Sequence, residues 1–108
     1  MTNEYGVKLD RNGYAPSIAF ETGCCPICGR RDRPLQRHEA FHGAYREKSK
    51  RLGCWLYICD ICHDRVHHKD AALDLYVKRL MQTLATEHYG WNVEQFRKEY
   101  GKNYLDAE

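Results

Sequence analysis

Two short motifs carry the most specific chemistry in the chain: Cys25-Pro-Ile-Cys28 and Cys59-Asp-Ile-Cys62. A Cys-x-x-Cys pair offers two corners of a tetrahedron, and thiolates are soft ligands that zinc holds at about 2.3 Å. Two such pairs predict one structural zinc on Cys25, Cys28, Cys59 and Cys62. The remaining cysteines, Cys24 and Cys54, read as small buried hydrophobes, with Cys24 able to replace Cys25 if the turn register shifts. The rival use of six cysteines is a disulfide framework in a secreted protein. Met1 to Phe20 holds no apolar run of signal-peptide length, and no stretch approaches the roughly 18–20 apolar residues of a membrane span. The expectation is a soluble, cytoplasmic chain whose reduced thiols bind metal.

Histidine supplies a second constellation. His63 and His67 are four apart, so on a helix both imidazoles project from one face, about 6 Å apart at Cβ, and can reach one ion. His38 lies in the spacer between the two Cys pairs, where a strand can bring it over that helix as a third ligand. Three protein ligands leave coordination positions open for water and phosphate, which hydrolysis of a phosphodiester requires. A different partition also uses these residues: Cys25, Cys28, His63 and His67 as a single Cys2His2 site, with Cys59 and Cys62 merely buried.

These side chains need elements to hold them. Pro26 and Gly29 give Cys24–Gly29 the turn chemistry of a metal knuckle. Leu35–His38 predicts a short strand, 43–51 a loop or a single helical turn, and the apolar, β-prone run Cys54–Ile58 a second strand. The second knuckle then leads into a helix. From Asp70 to Tyr89, Leu73, Tyr76, Val77, Leu80, Met81 and Leu84 fall at helical spacing and predict one core-facing stripe, ending at Gly90. Asn92 caps a further helix with Val93, Phe96 and Tyr100 on one face and Gly101 at its end. Residues 1–22 predict an irregular arm, with a short strand near Ile18–Phe20. Residues 23–108 predict a single α+β domain in which two C-terminal helices buttress the metal module, because a unit of about 45 residues cannot bury its own apolar side. The 108-residue length fits one domain.

Net charge is only +2, but the segment Arg30–Arg51 carries eight basic residues against three acidic ones, where a phosphate backbone would be held. With RHEAFHGAYREKS followed by WLYICDICHDRVH, the chain resembles the HNH endonuclease family, in particular the small zinc-stapled proteins of phages and prophages. The likeness covers about Cys25 to His68, and more loosely the C-terminal FRKEYGKNYL.

The resemblance implies a ββα-metal fold and metal-dependent cleavage of nucleic acid, DNA above all. It makes His38, His63 and His67 ligands of a catalytic ion: magnesium or manganese, with zinc or nickel as alternatives. Glu39 stands at the general-base position, where the family more often has His. If Glu39 binds the ion, the base is His42. Tyr45 stands where the family has its central Asn. Arg37, Arg46 and Lys48 are the expected phosphate clamps, sequence-blind as backbone contacts are. The alternative function is a catalytically degenerate zinc-stabilised module that holds nucleic acid or a partner protein. Native mass spectrometry of the metal-loaded chain is expected to show two ions per chain; the Cys2His2 partition requires one.

Overall fold

The computed structural model describes residues 1–19, 21 and 23–105. It is an α+β arrangement of a two-stranded antiparallel sheet and four α-helices. Strand β1, Leu35–Glu39, pairs with β2, Trp55–Cys59, a run of large and β-branched side chains suited to a pleated surface. The register sets Gln36 opposite Ile58, Arg37 opposite Tyr57, His38 opposite Leu56 and Glu39 opposite Trp55. Because side chains alternate across a strand, Gln36 and His38 share one face with Leu56 and Ile58, while Arg37 and Glu39 share the other with Trp55 and Tyr57.

Between the strands, the expected loop or single turn is in fact a 3-10 turn, Gly43–Tyr45, running into two turns of helix α1, Arg46–Leu52. Its polar composition hid it, since only Ser49 and Leu52 are buried. Ser49 fixes the corner: its hydroxyl accepts from the Phe41 amide at 3.2 Å and donates to the Phe41 carbonyl at 2.9 Å. Gly53 ends the helix at φ 77°, and a Cβ there would collide with the Pro16 carbonyl oxygen.

Helix α2, Asp60–Asp64, starts where β2 ends and widens into a π-type turn, Arg65–Lys69, closed by an Asp70 N–H to Arg65 carbonyl bond of 2.8 Å. Helix α3, Ala71–Tyr89, is capped by Asp70, whose carboxylate accepts from the Leu73 amide at 3.0 Å. Helix α4, Val93–Tyr100, opens with a reciprocal capping box between Asn92 and Gln95 and stops at Gly101.

The core stripe of α3 differs from the expected one. Val77 and Met81 are buried and Leu73 and Leu84 pack against the core, but Tyr76 is 57% exposed, and Gln82 and Ala85 are buried in its stead. The helix is turned toward Gln82 because that amide is satisfied inside, donating to Asn103 at 2.7 Å and accepting from the Tyr104 amide at 2.8 Å.

The described residues of the arm carry no helix or strand, with one isolated bridge between Thr2 and Lys8. Ile18 and Ala19 form a bend instead of a strand, and Phe20 lies outside the described residues. The segment is nonetheless tied down. Asn3 donates to the Arg51 carbonyl at 2.7 Å, Ala15 and Ile18 donate backbone amides to Lys50 and Gly53, and the Trp55 indole donates to the Ala15 carbonyl at 2.8 Å.

Among the described residues no helix is long and apolar enough to cross a membrane. The core joins the sheet to the C-terminal helices through aromatic rings: Phe41, directly after β1, lies 4.3 Å from Tyr100 and 5.3 Å from Phe96 between centroids. Phe41→Ala is expected to lower unfolding free energy by about 3–5 kcal/mol, read as a lower urea midpoint at an unchanged m-value.

Candidate metal centres

The first centre is made of sulfur. The Sγ atoms of Cys25, Cys28, Cys59 and Cys62 all lie within 4.8 Å of one another, with Cys28 and Cys59 3.7 Å apart. Sulfurs bound at about 2.3 Å around a tetrahedral ion are separated by about 3.8 Å, so the spacing fits a metal such as zinc. Local backbone sets it: the Cys62 amide points at the Cys59 sulfur at 3.4 Å, and Arg33 grips Asp60 through two bonds of 2.9 and 2.5 Å. Burial raises the Cys25 thiol, but the amides of Cys28, Cys59 and Ile27 outweigh it and bring the pKa down to about 7. Burial, with neighbouring sulfurs, pushes Cys59 and Cys62 upward. Four thiolates can share so small a volume when a divalent cation offsets their charge. Cys54 stands apart in the core, its thiol pushed up to about 12 by burial; the knuckle uses Cys25, not Cys24.

The second centre is made of imidazole. Ligand atoms of His38, His63 and His67 also lie within 4.8 Å of one another. His63 Nε2 and His67 Nε2 are 3.2 Å apart, against about 3.3–3.4 Å for two nitrogens bound at 2.0–2.1 Å to a tetrahedral ion. His38 is the informative member. It is 1% exposed, and neither ring nitrogen has a hydrogen-bond partner among the described residues. Burial first, then the neighbouring His63, His67 and His42, drives its pKa down to about 3. A buried imidazole with both nitrogens unsatisfied costs stability, and its neutrality keeps a lone pair available to a metal.

Gln36, two residues earlier on the same face of β1, orients the next imidazole. Its carbonyl oxygen accepts from His63 Nδ1 at 2.6 Å, which fixes the tautomer and leaves Nε2 as the lone pair toward His67. The π-type turn carries His67, in keeping with the frequent placement of such widened turns at functional sites. The single Cys2His2 partition is thereby corrected: the sulfurs of Cys25 and Cys28 group with those of Cys59 and Cys62, and the imidazoles of His63 and His67 group with His38.

His42 and Glu39 part company. His42 lies beside the cluster, its ring 5.0 Å from that of His67 and 5.9 Å from that of His38, and its Nε2 is 3.0 Å from Asp74 Oδ1 on α3. Glu39 projects from the opposite face of β1 from His38, where it accepts from the Tyr14 hydroxyl at 2.7 Å and from Arg46 Nε at 3.0 Å. Strand alternation makes this unavoidable.

The expected phosphate clamps are internally engaged. Arg37 stacks over Tyr14 and Trp55 at 3.9 and 4.4 Å, Arg46 pairs with Glu39, and Lys48 pairs with Glu99 at 3.2 Å. Arg33, Lys50 and Arg51 are likewise paired, with Asp60, Glu47 and Glu4, so the basic run is largely neutralised by its own fold. Tyr45 packs toward Tyr100 at 5.9 Å, and His68 and His88 are exposed.

Gln36 and Asp74 were not anticipated. The period of two from His38 points to Gln36; nothing local marks Asp74, which a different element delivers. In comparisons with known proteins, no family model, no curated protein and no solved structure matches the chain.

With the sulfur site loaded with zinc and the imidazole site free of metal, stability is expected to depend on His38 ionisation. Its ordinary pKa of 6.5 applies to the unfolded chain and about 3 to the fold, so between those values the unfolded state binds the extra proton. Stability is therefore full above pH 6.5 and falls progressively toward pH 3. Urea melts from pH 7 to 4 should lose less stability in His38→Leu than in the natural chain; parallel pH profiles would contradict this.

Proposed function

We propose that the chain is a metal-dependent phosphodiester hydrolase of the HNH type, an endonuclease acting on nucleic acid, above all DNA. The observation that carries this reading is His38: a fully buried imidazole with no partner, facing His63 and His67 across the end of a β-ribbon held to a helix by four sulfurs. The order strand, connection, strand, helix, with the ligands on the first strand and the last helix, is that of a ββα-metal module.

Cys25, Cys28, Cys59 and Cys62 hold the structural zinc. His38, His63 and His67 hold the catalytic ion, and an all-imidazole set suits zinc or nickel better than magnesium or manganese, which prefer oxygen ligands. A divalent ion bound there supplies Lewis-acid charge to the scissile phosphate and to the leaving oxygen. His42 is the general base. It takes a proton from a water whose oxygen bonds to phosphorus in line, while the phosphorus–oxygen ester bond breaks and the departing oxygen takes a proton from solvent. Glu39 instead braces the arm through Tyr14 and helix α1 through Arg46.

The pairing of Arg37, Arg46 and Lys48 within the protein favours one variant, a module that retains the zinc and does not cut. Supercoiled plasmid incubated with protein loaded with zinc, nickel or manganese separates the two. Nicking is expected from the natural chain, with a fall of about 100-fold or more in His38→Ala and His63→Ala, each still binding one zinc. Nicking that survives both substitutions would overturn the assignment of the site, and a loaded natural chain that does not nick would leave the non-cutting module.

A further inference from the structure

Helix α3 meets His42 with a carboxylate. Asp74 sits one turn into that helix with its side chain 18% exposed, and each of its oxygens is committed: Oδ1 to His42 Nε2 at 3.0 Å, Oδ2 to Lys78 Nζ at 2.8 Å. The carboxylate is thus pinned from its own helix while it holds a ring belonging to the loop between β1 and α1. An ionised carboxylate only accepts hydrogen bonds, so a neutral His42 in this contact must carry its proton on Nε2, and Nδ1 is left as the basic nitrogen. Among the described residues Nδ1 has no hydrogen-bond partner.

A pair between exposed groups contributes only about 0–1 kcal/mol of stability, so a surface ion pair has little reason to be braced by a third charge. A ring that must present one chosen nitrogen next to three other imidazoles does: the wrong tautomer puts a proton where the lone pair is needed. Where the ββα-metal module implied by the resemblance has a central Asn, this chain has Tyr45, which packs against Tyr100 instead. The orienting group therefore comes from outside the module, from the helix that follows it.

We propose that Asp74 is a positioning residue that locks His42 as its Nε2–H tautomer, with Lys78 holding the carboxylate, so that Nδ1 is the proton acceptor beside the three-histidine centre. The catalytic half of this proposal rests on the hydrolase reading above; the tautomeric half does not. It gives α3 a direct part in the site, beyond its role as a buttress.

The test uses the full chain loaded with zinc and labelled with nitrogen-15 in histidine. Long-range proton–nitrogen spectra of the natural protein should show the His42 ring protonated on Nε2. Asp74→Asn, which can donate as well as accept, should lose that single tautomer, keep both ions by native mass spectrometry, and lower kcat for plasmid nicking by about 10²–10³-fold with KM little changed. Asp74→Glu, which restores an acceptor, should recover the tautomer and part of the rate.

A natural protein with the proton on Nδ1, or an Asp74→Asn protein with unchanged tautomer and unchanged kcat, overturns the proposal. So does loss of one ion in Asp74→Asn, which would make the pair part of the metal site itself. If the natural protein does not nick DNA under any of the metals, the hydrolase reading and the catalytic half fall together, and the spectra alone decide whether Asp74 sets the His42 tautomer.

Discussion

Everything in this fold depends on a convergence of four sulfurs. Cys25 and Cys28 sit on a turn that has no regular element to hold it, while Cys59 and Cys62 sit at the junction of β2 and α2. Bringing the pairs together closes the chain between Cys28 and Cys59, and closing a loop of this length by a covalent or metal link removes on the order of 3–4 kcal/mol of chain entropy from the unfolded state. In a chain this small, such a constraint is a large fraction of the roughly 5–15 kcal/mol net stability of an average domain. It also fixes direction: Cys62 is followed at once by His63, so whatever orients the sulfur also orients the first helical imidazole.

The cost of that arrangement is concentrated in His38. Placing an imidazole at 1% exposure with no hydrogen bond is unfavourable in the bare protein, and the fold tolerates it because Leu56, Ile58 and the rest of the core close over the same face of the sheet. The two faces of a five-residue strand are thus given different jobs. One carries Gln36 and His38 toward the helix; the other carries Arg37 and Glu39 into an aromatic and ionic network with Tyr14, Trp55 and Arg46 that secures the N-terminal arm.

That division also explains why the basic segment does not behave as a simple cationic patch. Counted along the chain, Arg30–Arg51 looks like a phosphate-binding run; folded, most of its charges meet carboxylates from the arm, from β1, from α1 and α2 and from α4. If the protein grips nucleic acid, it does so with charges released from such pairs or with groups nearer the imidazoles.

The sequence by itself determined which cysteines and which histidines would be grouped together, and most of the elements that bear them. Cys-x-x-Cys chemistry, the four-residue spacing of His63 and His67, the β-prone run before Cys59 and the capping signals at Asn92 and Gly101 are local, and local rules reach them. It missed helix α1, whose polar residues hide the two that are buried, and it placed Tyr76 in the core where a satisfied Gln82 sits. Only the tertiary structure decided that Glu39 faces away from the imidazoles while His42 lies beside them, that Gln36 and Asp74 orient the rings, and that the basic run is neutralised. The reason is physical: which face of a strand looks inward, and which distant carboxylate meets a given ring, are set by packing between elements that no stretch of neighbouring residues encodes.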